Sequence, residues 1–144
     1  MLFRSFLIAK LQSVQNSAAR LVCMTRKFDH ITPTLIDLHW LLIRHRIVFK
    51  ILLLVYKSLN GKAPSYLSDL LTYRWSSYSL RSVSNGDLVE PSSKMGTYGD
   101  RPFAVCAPRL WNSLPLSIRR SSSVDIFKSV LKTYLFKMFV SECL

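Results

Sequence analysis

A chain of 144 residues with 20 Lys and Arg against 8 Asp and Glu has the length of one domain and a formal charge of +12. With 49% hydrophobic residues, 4 Gly and 6 Pro it can bury one modest core, which excludes a disordered tail. The charge favours a polyanionic partner, nucleic acid first and an acidic membrane surface second, with a passive basic protein as the alternative.

The apolar stretch Leu2 to Leu11 is broken by Arg4, Ser5 and Lys10 and lacks a small-residue cleavage site, so no signal peptide is expected. The longest apolar run, Ile51 to Tyr56, is far too short for a membrane span. Cys23, Cys106 and Cys143 are widely separated with no CxxC, which argues against a disulfide framework or zinc ribbon and for a reducing, intracellular compartment, nucleus or cytoplasm. His30, His39 and His45 do not join the cysteines at ligand spacing and are expected as surface or interface residues.

In chain order, the spacing predicts a helix over 5–24 with Leu7, Leu11, Val14, Ala18, Leu21 and Val22 on its core-facing side. Gln15 interrupts that face as a satisfied interior amide or a nucleic-acid contact. Thr32 as N-cap and Pro33 at the first helical position predict a short helix to about 38. A longer one follows over 41–60, closed by Gly61 as a left-handed cap. On it Arg46, Lys50 and Lys57 fall within an arc of about 40 degrees while nearly every other face is apolar.

Ala63 and Pro64 open a short helix bearing Leu67, Leu70 and Leu71. The Ser-rich stretch 72–95, with Asn85-Gly86 as a turn signal and Asp87 to Glu90 as a short strand, reads as an exposed loop or hairpin. Pro102 and Pro108 predict a short helix, a break and a second short helix ending near Asn112-Ser113, anchored by Phe103, Val105, Leu110, Trp111 and Leu114. Ser122 with Asp125 suits a capping box for a last helix whose stripe is Phe127, Val130, Leu131, Tyr134, Leu135 and Met138. Phe136 points off that stripe, a candidate contact for something outside the chain. The fold class is therefore all-α: about six helices with a Ser-rich loop or hairpin, in a single domain or a fragment of something larger.

The string YGDRPFAVCAPRLWNSLP (Tyr98 to Pro115) resembles a segment near the carboxyl end of the reverse transcriptase of non-LTR, LINE-type (jockey-like) retrotransposons. LQSVQNSAARLV (Leu11 to Val22), the block from His30 to Leu71, and SSVDIFKSVLKTYLF (Ser122 to Phe136) are similar to its flanking blocks, in the same order. The resemblance implies a thumb or post-thumb piece of an RNA-directed DNA polymerase, which would pack on the rest of its polyprotein and grip RNA, DNA or their hybrid. Met1 lies close to where the resemblance begins, which suggests a truncated genomic copy.

That family's polymerase would use Mg2+ on a Tyr/Phe-x-Asp-Asp turn plus a third Asp. None of the eight carboxylates here is adjacent to another, and the nearest pair, Asp87 and Glu90, reads as solvated turn residues. No Gly-rich phosphate loop and no GxSxG accompany them. No catalytic residue, metal ligand or cofactor is assigned, and the chain alone is not expected to be an enzyme. Binding remains. Tyr73, Arg74, Trp75, Tyr78 and Arg81 interleave aromatics with arginines, which suits stacked bases and phosphates as well as it suits an ordinary packed loop. With Arg46, Lys50 and Lys57 they form the candidate nucleic-acid-binding set. Arg26-Lys27 and Arg119-Arg120 read as further basic sites or solvated helix ends. No membrane and no small-molecule substrate is expected, and the competing reading is a helical interaction module or an inert transposon remnant.

Overall fold

Seven helices make up most of the described residues of the computed structural model: α1 (Ser5–Cys23), α2 (Ile31–Asp37), α3 (Ile43–Leu59), α4 (Ser65–Ser68), α5 (Phe103–Asn112), α6 (Leu116–Arg119) and α7 (Val124–Cys143). The structure describes residues 5–74, 86–91 and 102–143. It is mainly helical, as composition and periodicity required, with one antiparallel bridge between Tyr73 and Leu88. The middle of the expected hairpin lies outside the described residues. The chain divides into two compact units, one of Lys50–Val130 and one of Phe3–Phe49 with Leu131–Leu144.

In the second of these units α1 does not present the expected face. Its buried positions are Gln15 and Ala19, with Ile8 and Gln12 half-buried, while Leu7, Leu11, Val14, Leu21 and Val22 are exposed. The burying side is rotated roughly 110 degrees from the apolar stripe. Two hydrogen bonds explain the rotation. Gln15 Nε2 donates to the Leu41 carbonyl at 2.8 Å, and Gln12 Oε1 accepts from the Ile43 N–H at 2.9 Å. Ile43 is the first residue of α3, so Gln12 satisfies an orphan donor that no residue of α3 could reach. Ala19, Leu35 and Phe139 form the core of the unit, with Ile31, Ile36, Leu38, Trp40, Leu42 and Phe136 packed around it.

Three helix ends share one device. α1, α2 and α3 close with a residue in the left-handed region: Met24 (φ 52), His39 (φ 52) and Gly61 (φ 64). In each the next N–H reaches five residues back, Thr25 to Arg20, Trp40 to Leu35 and Lys62 to Lys57, which is the Schellman pattern. Gly61 adopts it without strain, whereas Met24 and His39 carry a Cβ that costs about 1 kcal/mol or more there. At His39 a stack on Phe136 offsets the cost, with ring centroids 5.4 Å apart and planes 13° apart. Phe136 therefore has its partner within this unit and needs no outside contact.

Other expected boundaries shift for physical reasons. α2 begins at Ile31 behind His30, which places Pro33 at the third helical position rather than the first. Pro64 precedes α4 as its N-cap, and Leu70 and Leu71 fall beyond its end. α5 runs unbroken through Pro108. Burial of Cys106, Ala107, Pro108 and Trp111 offsets the roughly 3 kcal/mol that an interior proline costs. α7 is capped by Ser123, whose hydroxyl accepts from the Ile126 N–H at 3.2 Å, so the cap sits one residue after Ser122 and no capping box forms. Its buried residues are Phe127, Leu131, Leu135 and Phe139 at strict four-residue spacing, and Val130 and Met138 are exposed.

His45 is buried in the second unit, tilted against Phe139, with Nε2 3.8 Å from Glu142, which also pairs with Arg44. It is thus not a surface histidine. Burial pushes its imidazole below the usual range. Glu142 opposes that shift, and Arg44 adds to it. A folded-state value below the unfolded value of about 6.5 means that the unfolded chain binds more protons between the two. The stabilising effect is complete above about pH 6.5 and is lost as pH falls below it. Thermal melts across that window should show a falling midpoint, and His45→Phe should flatten the curve. An equally steep curve in the variant would assign the slope to other groups.

Candidate nucleic-acid interface

α3 is the element that sets out the basic side chains. Leu52, Val55 and Tyr56 are buried along it with His45 and Ser58. Arg46, Lys50 and Lys57 share an arc on the far side, while Arg44 lies off that arc and pairs with Glu142. In the second unit α3 carries Arg46, exposed; in the first it carries Lys50, exposed, and Lys57, half-buried. Among the described residues none of these three has an ion-pair or hydrogen-bond partner through its side chain. The carboxylates go elsewhere. Glu142 pairs with Arg44, Asp87 with Arg119, Glu90 with Arg109, and Asp125 with Lys128.

Within the first unit, Tyr73 and Arg74 lie on the bridged segment and both are exposed. The Arg74 N–H donates to the Asp87 carbonyl and the Val89 N–H to the Thr72 carbonyl, each at 2.8 Å. Burial of part of the ring pushes the Tyr73 phenol up, so it remains a neutral donor. Trp75, Tyr78 and Arg81 lie outside the described residues.

The residues that build this segment are ones that sequence alone left as scaffold or solvent. The flanking bonds at Arg74 and Val89 make Tyr73 and Leu88 a non-hydrogen-bonded pair, so the N–H and C=O of Leu88 point away from residues 72–74. Asn112 meets both. Its Oδ1 accepts from the Leu88 N–H at 2.8 Å, and its Nδ2 donates to the Leu88 carbonyl and to Glu90 Oε1, each at 2.9 Å. Trp111 Nε1 donates to the Gly86 carbonyl at 3.2 Å. Arg119 Nη1 reaches Asp87 Oδ1 at 2.7 Å with its side chain only 8% exposed. Asp87 and Glu90 are therefore tied rather than solvated turn residues, and Arg119 is a buried partner rather than a solvated end.

Among the described residues no group of three or more His, Cys, Asp or Glu could hold a metal ion. Cys106 is buried, and that burial pushes its thiol up, which keeps it protonated and a poor nucleophile. No described helix is long and apolar enough to cross a membrane. No family model, curated protein or solved structure matches the chain.

Proposed function

We propose that the chain is a non-catalytic nucleic-acid-binding module that contacts phosphates from α3 and from the Tyr73-Arg74 segment. On the resemblance of its sequence blocks, we propose further that it is a thumb or post-thumb region of a LINE-type reverse transcriptase whose partners are nucleic acid and the rest of that polyprotein. The observation that carries the binding role is the placement of unneutralised cations: Arg46 and Lys50 are exposed without a carboxylate, while Arg44, Arg109, Arg119 and Lys128 each have one. Phosphate contact of this kind is sequence-independent and releases counterions. The metal-dependent chemistry of such a polymerase would belong to a palm elsewhere in the polyprotein; among the described residues no group of three or more His, Cys, Asp or Glu could hold the ion.

Fluorescence anisotropy with labelled duplex and single strands tests the reading. Affinity should fall linearly in log K against log salt, by a slope of roughly 0.9 per phosphate contact on duplex. Arg46→Gln, Lys50→Gln and Lys57→Gln should each weaken binding to all sequences alike and reduce the slope by about 1 where that contact is made. No binding at low salt, or three variants with the parent's slope, would remove α3 from the interface.

A further inference from the structure

We propose that α1 and the turn after it form a docking face for an anionic lipid surface. The stripe read from sequence as core is turned outward. Leu7, Leu11, Val14, Leu21 and Val22 are all more than half exposed, on a helix whose opposite side is fixed by the Gln12 and Gln15 hydrogen bonds. A run of apolar side chains on one exposed helix face exceeds what scattered surface residues present.

Charge complementarity identifies the occupant. Between Ser5 and Phe28 the chain carries Lys10, Arg20, Arg26 and Lys27 and no Asp or Glu. Lys10 Nζ lies 4.3 Å from the centroid of the exposed Phe6 ring, and Lys27 Nζ lies 6.0 Å from that of Phe28. An aromatic with an adjacent lysine at each end suits a bilayer boundary, where the ring enters the acyl margin and the ammonium stays among anionic headgroups.

The reach of the patch beyond the helix favours a surface over a partner helix. On α1 the apolar stripe from Leu21 round to Val22 spans roughly 100 degrees, with Lys10 and Ser17 between it and Phe6. Beyond the helix, Met24 is 89% and Phe28 93% exposed, and a partner helix laid along α1 would leave them uncovered. Arg20 donates to the Asp29 carbonyl and ties this turn to α1.

Flotation of the full chain with phosphatidylcholine vesicles, with or without phosphatidylserine, tests the proposal. Binding should require phosphatidylserine and should partly survive high salt, because the apolar term is not screened. Leu11→Ser with Val14→Ser and Leu21→Ser leaves the net charge unchanged and should lower partitioning by roughly 100-fold. Its duplex affinity should stay at the parent's value, which separates this face from α3. Phe28→Ser, outside any helix, should give a several-fold loss even if the triple variant proves poorly folded by circular dichroism. Three results would overturn the proposal: no binding to phosphatidylserine vesicles, undiminished binding by a folded triple variant, or a parent dimer in sedimentation velocity that the triple variant dissociates.

Discussion

Phe127→Ala should lower the unfolding free energy by about 3–5 kcal/mol, the largest effect expected of any single truncation in the Lys50–Val130 unit. Its side chain is fully buried, stacked on Tyr56 at 4.2 Å between centroids and tilted toward Trp111 at 6.1 Å. The neighbours cannot easily collapse into the space. The Tyr56 hydroxyl is held by the Ser121 carbonyl at 2.6 Å, and the Trp111 indole by the Gly86 carbonyl. Filling the cavity would mean giving up those bonds, so the cavity cost adds to the lost transfer energy. Urea melts read the difference directly. Ile126→Ala, at the half-exposed position next to it, should cost under about 1 kcal/mol. Similar losses for the two variants would mean that Phe127 is not the packing centre.

Asn112→Ala should cost about 2–4 kcal/mol, because it orphans two backbone groups of a fully buried residue at once. Asn112→Asp makes a sharper test. The carboxylate can still accept from the Leu88 N–H, but it faces the Leu88 carbonyl and the Glu90 carboxylate with no proton to donate. The aspartate variant should be less stable than the parent at neutral pH and should recover as pH falls and the new carboxyl takes up a proton. A pH-independent deficit would show that repulsion is not the cause. A variant as stable as the parent would mean that water replaces the amide without cost.

Asn112 lies in the most conspicuous string of the sequence and Phe127 packs against Trp111 of that string, which shows how unevenly the fold was legible. Trp111 was readable as an anchor because large aromatics are seldom used otherwise, whereas Pro108 was read as a break that α5 does not make. The basic arc on α3 was readable too, since four-residue spacing alone puts Arg46 and Lys50 on one side. Gly61 was readable as a left-handed cap because glycine adopts that conformation without strain. Met24 and His39 do the same without glycine, so nothing in their identity announced them. The ion pair of Asp87 with Arg119 joins residues 32 apart, and local spacing holds no trace of it. α1 misled for a different reason. Periodicity reports which side is apolar, but the buried side was chosen by two glutamines that satisfy Leu41 and Ile43.

A two-stranded ladder ordinarily leaves a row of unpaired backbone groups that any passing extended chain can join. Here the side-chain amide of Asn112 stands where the next strand would be and offers Leu88 one donor and one acceptor in its place. Asn112 therefore closes the outer edge at Leu88, and replacing it would leave that N–H and C=O open to an extended chain.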